Sequence, residues 1–317
     1  MGSEMQRESF ERQSSMRTAA PPLGRYYEVE GRRLLLHKSG SGSPAVVFLA
    51  GGGAVGLDYF NVQQRAAELT TSVIYDRAGT GWSDQVDLPR ASAEVIDELR
   101  GLLRVADLPT PYVLVGHSLG GLYARHYAQR YPGEVSGLVL LDPAHEDYNA
   151  YMPKELVEQW AGFDPDEALP NELPDELIQH YRALFVAEMG EWPAEIREVL
   201  VERHVSPAWL RVGLQETKNV DQLYDEVRQS GPMPDLPLII LTSMGIDSFK
   251  EAVSQGTSES LLREEIEGKR RLYTAWADSF VRGENRLIED AGHVTLHYRR
   301  PDGVVQAIQD ILEGPAR

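Results

Sequence analysis

The chain has 317 residues, 42% of them hydrophobic, 25% charged and 8% aromatic, an ordinary globular composition with room for one large domain or one domain carrying an insertion. Lys+Arg 31 against Asp+Glu 49 gives a net charge of −18, which argues against nucleic acid and against an anionic membrane surface, since both call for clustered Lys and Arg. With no Cys, disulfides, thiolate metal sites and Cys nucleophiles are excluded.

Residues 1–24 read as a polar tail without the apolar run of about 7–15 residues that a signal peptide needs, and Gln6 breaks the myristoylation pattern. No apolar run approaches the ~18 residues of a membrane span, so the expectation is a cytoplasmic protein. Short β-like runs at 26–29 and 33–37 flank Gly31 and suit an antiparallel hairpin. From there the pattern changes. Residues 45–49 (AVVFL), 72–75 (SVIY), 112–116 (YVLVG), 137–141 (GLVLL) and 238–242 (LIILT) are continuous apolar runs, and helix-length segments separate the first four. Strands apolar on both faces and interleaved with helices predict a parallel sheet covered on both sides. In the 91–106 segment Val95, Leu99, Leu102, Leu103 and Ala106 recur at helical spacing, and Pro109 and Pro111 end that helix.

Residues 144–234 break the alternation: no convincing strand appears, and Pro153, Pro165, Pro170, Pro174, Pro193 and Pro207 punctuate helical stretches. This reads as a helical insertion dividing a core of residues 25–143 and 235–317. It holds 19 Asp+Glu and 7 Lys+Arg, a net −12 that makes up most of the chain's charge.

The sharpest chemical signal is Gly116-His117-Ser118-Leu119-Gly120, a G-x-S-x-G between an apolar strand and a helix beginning near Gly121. A serine on so tight a strand-to-helix turn is lifted above the sheet, and the flanking glycines let the backbone turn without Cβ clashes. The Leu119 N–H, at the positive end of the helix, is then aimed at a developing oxyanion. A second donor is expected from Gly51-Gly52-Gly53 after the first buried strand, with the N–H of Gly52 as the candidate. A phosphate-binding reading of these glycines fails because no Lys-Ser/Thr follows.

The base is sought near the end of the chain, where the last strand at 286–288 leads into Glu289-Asp290-Ala291-Gly292-His293; a His on a loop at the sheet's carboxyl edge can reach the nucleophile. His293 is the expected base and His297 a helix-face or supporting residue. For the acid, Asp247 in Thr242-Ser-Met-Gly-Ile-Asp247 is favoured and Asp142, at the end of the 137–141 strand, is the alternative. His117 is expected to pack beside the nucleophile. His145-Glu146-Asp147 read as a solvated loop rather than metal ligands, and no metal site is expected.

These residues resemble the α/β-hydrolase superfamily. The nucleophile turn, the glycine-rich loop, Asp76-Arg-Ala-Gly-Thr-Gly-Trp-Ser83 (similar to the family's D-x-R-G-x-G-x-S turn) and the Ala-Gly-His293 ending occur in the family's order over residues 25–315. The resemblance implies an α/β fold with an eight-stranded, mostly parallel sheet flanked by helices, a helical cap over the site, and a serine hydrolase that needs no cofactor. Two features depart from the family: Ala50-Gly51 stands where His-Gly is usual, and Asp247 is displaced by one residue from the usual Gly-x-x-Asp turn. The stretch 248–283 also exceeds a simple strand-to-helix connection. A serine at the nucleophile turn, rather than Asp, points away from dehalogenases and epoxide hydrolases and toward acyl substrates.

The expected activity is therefore cleavage of a carboxylic ester or lactone of a small, mostly apolar substrate through an acyl-enzyme on Ser118. An aminopeptidase-like or amidase-like (iminopeptidase-like) hydrolase is the second reading, and a ligand-binding, non-hydrolytic protein on the same fold the third. The expected partner is a small-molecule acyl substrate, with no nucleic acid and no membrane, and a homodimer is left open. Aromatic residues of the insertion, among them Tyr148, Trp160, Phe163, Tyr181, Phe185 and Trp209, are candidates for the pocket wall or for packing among the helices themselves.

Overall fold

The unbroken apolar runs become the centre of one sheet. The computed structural model describes residues 20–162, 174–254 and 256–314; most of the expected tail, with Gln6, and Phe163, Pro165 and Pro170 of the insertion lie outside these. Among the described residues the strands are β1 (Arg25–Val29), β2 (Arg32–Ser39), β3 (Ala45–Leu49), β4 (Ser72–Tyr75), β5 (Tyr112–His117), β6 (Val135–Leu141), β7 (Leu238–Ser243) and β8 (Gly283–Ile288), in spatial order β1-β2-β4-β3-β5-β6-β7-β8. β2 runs antiparallel to both β1 and β4, and every other pair is parallel. Glu30 and Gly31, at φ 51° and 80°, make the two-residue turn of the β1–β2 hairpin; both positions need positive φ, which explains the glycine there.

β3, β5 and β7 are buried at every residue, as strands covered on both faces must be. One face carries α2 (Ser92–Val105) and α3 (Leu119–Arg130), whose Val95, Leu99, Leu102 and Leu122 pack with Val47, Leu114 and Leu140. On the other, α1 (Phe60–Ala66) and the C-terminal α13 (Pro301–Glu313) bring Val62, Val304 and Ile308 against Phe48, Val115 and Leu141. β8 is longer than the 286–288 run because its first half, Gly283-Glu284-Asn285, lies at the sheet edge and carries no continuous apolar signal.

Between β6 and β7 the described residues form only helices: α4 (Tyr148–Tyr151), α5 (Lys154–Ala161), α6 (Asp175–Glu188), α7 (Ala194–His204), α8 (Pro207–Thr217) and α9 (Val220–Gln229). The long stretch after β7 holds α10 (Ser248–Val253) and the 19-residue α11 (Glu259–Ala277), and α12 (Leu296–Arg299) follows β8. No described helix is long and apolar enough to cross a membrane.

The β5–α3 junction is packed to backbone contact. A Cβ on Gly116 would stand 2.5 Å from the Gly120 carbonyl oxygen, and one on Gly120 would stand 2.0 Å from that of Leu49. Main-chain atoms cannot retreat as side chains do. Gly120→Ala is therefore expected to lower stability by about 1–3 kcal/mol or more, the usual range for overpacking, read as a lower urea midpoint at unchanged slope.

Candidate active site

Ser118 sits between the last residue of β5 and the first of α3 with φ 51° and ψ −119°, a conformation that an L-residue holds only when its surroundings impose it. The hydrogen bonds that impose it run from the Ser118 N–H to the Leu141 carbonyl (3.0 Å) and from the Gly121 and Ala144 N–H groups to the Ser118 carbonyl (2.9 Å each). Leu119 heads α3, so its N–H has no carbonyl four residues back to bond. The glycine loop lies against this turn: a Cβ on Gly51 would be 3.4 Å from the Ser118 Cβ, and one on Gly52 would be 3.6 Å from a Leu119 methyl. Thus Gly52 and Ser118 line one cavity, and Leu119 follows the serine with a methyl against Gly52.

His293 comes from the loop after β8 and lines the same cavity as Ser118. Its Nδ1 faces Asp142 Oδ2 at 3.2 Å. A carboxylate only accepts, so Nδ1 donates this hydrogen bond, and in the neutral ring the lone pair lies on Nε2. Asp142 is buried at φ 41°. Its Oδ1 accepts the Ser243 N–H (2.9 Å), and Oδ2 accepts the Lys269 ammonium (2.6 Å) as well as the Ser243 hydroxyl. Burial alone would raise this carboxyl, but Lys269 and the hydrogen bond from His293 outweigh it and hold it far below the usual carboxylate range.

The partner of His293 is therefore Asp142, not the favoured Asp247. Asp247 does two other things. Its Oδ1 accepts the Lys250 N–H (2.8 Å) as the N-cap of α10, and its Oδ2 accepts the Thr295 hydroxyl (3.0 Å) and N–H (3.3 Å). With both oxygens committed there, it braces the loop that bears His293. Gly292 is required for this, since a Cβ there would lie 2.3 Å from Asp247 Oδ2.

His117 is buried, and its neighbours define its proton. Nε2 faces the His293 carbonyl (3.0 Å) and must donate, so Nδ1 accepts from the Tyr59 hydroxyl (2.7 Å), whose oxygen in turn accepts the Gly51 N–H (3.2 Å). Burial, with His293 and His297 beside it, keeps the ring well below the ordinary imidazole value and hence neutral. His297 is buried against Tyr59, with ring centroids 4.5 Å apart, and burial lowers it to about 4. His145 and Glu146 are not solvated as expected: His145 is buried, and Glu146 forms a two-pronged pair with Arg125 at 2.8 Å.

The cavity, about 850 Å³, is walled mainly by apolar and aromatic side chains of the insertion and α10, including Tyr181, Phe185, Trp209, Leu214 and Phe249. Among the described residues four carboxylates line it, and each is engaged. Beyond Asp142 and Asp247, Asp58 accepts His204 Nε2 (2.7 Å) and the Tyr298 hydroxyl (2.9 Å), and Glu265 pairs with Lys250 (2.7 Å).

Residues 46–307 match the Alpha/beta hydrolase family. The chain belongs to that family. Among solved structures, this α/β hydrolase is similar to ALR0039, a putative alpha/beta hydrolase from Nostoc sp. PCC 7120 (TM-score 0.65, 18% identity, 90% of this chain and 96% of that one). It is also similar to a thermophilic esterase from Thermogutta terrifontis (TM-score 0.58, 18% identity, 92% and 98%). In sequence it is 33% identical over 122 residues to YqjL of Bacillus subtilis, covering 38% of this chain and 48% of that protein. The matches span less than half the length of the first curated relatives.

Lys269 and Ser243 are the site residues of this hydrolase that the sequence reading passed over. Ser243 is one residue beyond the recognised end of β7. Lys269 stands on the stripe Leu262, Ile266, Lys269, Leu272, Tyr273 of α11, where a cation among buried apolar positions is the signal that could have found it. Because the folded Asp142 carboxyl is depressed, its stabilising contribution is present above the unfolded value of about 3.9 and is lost as pH falls below it. The double variant Asp142→Asn, Lys269→Met, which leaves no unpaired buried ion, should show a shallower loss of stability than the parent between pH 5 and pH 2 in urea titrations.

Proposed function

We propose that this α/β hydrolase is a serine esterase or lactonase acting on a small, mostly apolar acyl substrate, with Ser118 as nucleophile, His293 as base and Asp142 as the acid that orients it. The observation that carries the reading is the His293–Asp142 hydrogen bond in the same cavity as a strained Ser118. The Ser118 hydroxyl gives its proton to His293 Nε2 as Oγ attacks the acyl carbon, and the carbonyl oxygen becomes an oxyanion facing the Gly52 and Leu119 N–H groups. On collapse the acyl–oxygen bond breaks, and the imidazolium returns that proton to the departing alkoxide. Water then repeats the sequence on the acyl-enzyme, its proton passing to His293 and back to Ser118. Asp142 keeps its own charge throughout and stabilises the imidazolium.

In this reading the helices of residues 144–234 act as the cap, and their aromatic side chains receive the acyl chain. The state of the cavity's carboxylates favours esters over aminoacyl amides. A substrate ammonium needs an unengaged carboxylate, whereas the carboxylates that line the cavity among the described residues, Asp58, Asp142, Asp247 and Glu265, all hold partners already. The insertion's net −12 is therefore not by itself a signal for a cationic substrate.

A fluorophosphonate should add once, on Ser118, and Ser118→Ala should abolish both the adduct and the hydrolysis of p-nitrophenyl esters. Asp142→Asn should lower kcat by about 10⁴, the loss seen when a catalytic His loses its orienting carboxylate. Asp247→Asn should cost far less in kcat and act mainly on stability. Equal losses in the two Asp variants would return Asp247 to contention, and faster turnover of prolyl or other aminoacyl anilides than of esters would favour the peptidase reading.

A further inference from the structure

Helix α8 of the insertion touches the glycine loop at its backbone. A Cβ on Gly213 would be 3.1 Å from the Gly53 Cα, so helix and loop meet with no side chain between them. One turn on, Glu216 is buried, and its two oxygens do different work. Oε2 accepts the Gly53 N–H (2.8 Å), while Oε1 takes Arg77 Nε (3.0 Å) and Nη2 (2.8 Å). Arg77, also buried, sends two further hydrogens to the carbonyls of Ala50 (Nη1, 2.6 Å) and Gly51 (Nη2, 2.9 Å).

Carbonyls of residues 50 and 51 and the amide of residue 53 are thus fixed by one ion pair, and Gly52, whose N–H faces the cavity in the mechanism above, lies between the fixed groups. We propose that Glu216 is a positioning residue: seated by Arg77, it holds the glycine loop so that the Gly52 N–H is oriented as an oxyanion donor, and it makes that orientation depend on the seating of helix α8. This rests on the hydrolase reading above. Glu216 does not line the cavity, but Trp209, Leu210, Gly213, Leu214 and Thr217 of the same helix do. An acyl chain pressing on α8 therefore acts on the element that sets the oxyanion donor.

Glu216→Gln is the isosteric test, because an amide has one acceptor oxygen where the structure uses two. A p-nitrophenyl ester should show kcat reduced about 10–100-fold, below the 10²–10³ of losing a donor outright, with KM close to the parent, while the thermal midpoint falls because Arg77 is left buried without its counter-ion. Hydrogen exchange at the amides of residues 51–53 should accelerate, and fluorophosphonate should add more slowly. Gly213→Val, which pushes α8 from the loop without touching a charge, should act in the same direction and covers the case in which the Gln variant does not fold. Parental kcat in either folded variant, whatever exchange shows, overturns the proposal, as does parental exchange at 51–53 with reduced kcat. Parent protein that takes up no fluorophosphonate and cleaves no ester instead defeats the hydrolase reading, a result distinct from either.

Discussion

The structure of the site depends on one backbone constraint, the positive-φ turn at Ser118. A residue does not hold that conformation unaided, and here three strands and a helix enforce it. The Ser118 N–H is tied to the end of β6 through Leu141, its carbonyl receives amides from α3 and from the segment after β6, and the contacts of Gly116 and Gly120 leave the chain no slack. Because Asp142 directly follows β6 and its N–H bonds to Leu241 of β7 at 3.0 Å, the same ladder that strains the serine places the carboxylate. Ser118 and Asp142 are thus held by neighbouring strands, and only His293 arrives on a loop.

That loop is secured by a buried polar chain as well as by the packing of Ala291 and Leu296 into the core. From the Gly51 N–H through the Tyr59 hydroxyl and the His117 ring to the His293 carbonyl, each group donates once in the same direction. The chain links the glycine loop, the residue before the serine and the histidine loop, three segments far apart in sequence. Burial keeps His117 neutral, so the direction of donation is fixed. A charged ring would offer a second donor to Tyr59 and reverse that end of the chain.

The sequence disclosed the fold through its unbroken apolar runs, since burial on both faces leaves a strand no alternation, and it disclosed Ser118 and His293 through local motifs on a turn and a loop. The partner of His293 was not legible in the same way. Asp142 and Asp247 both follow strands at the correct edge, and the choice between them turns on Ser243 and Lys269, contributed from 101 and 127 residues further along the chain. No short motif records such a convergence. Glu216 was invisible for the same reason: in an insertion so rich in acidic residues, one more carboxylate carries no mark of being buried.

The charge of that insertion acquires a structural meaning from its contacts. Several of its carboxylates dock the insertion onto the core: Glu146 on Arg125 of α3, Glu188 on Arg299 of α12, the buried Glu216 on Arg77, and Glu226 on the Ala93 N–H at the start of α2. Apolar contact would hold the helices down in many registers, whereas a buried ion pair tolerates one. The desolvation of Arg77 and Glu216 offsets much of their attraction, so what the pair contributes is position rather than net stability. Position is what the glycine loop lacks: three consecutive glycines give the loop the close approach the site needs and, without side chains, nothing of its own to hold it there. The rigidity has to come from outside the loop, and it comes from Tyr59 and Arg77 of the core together with Glu216 of the insertion.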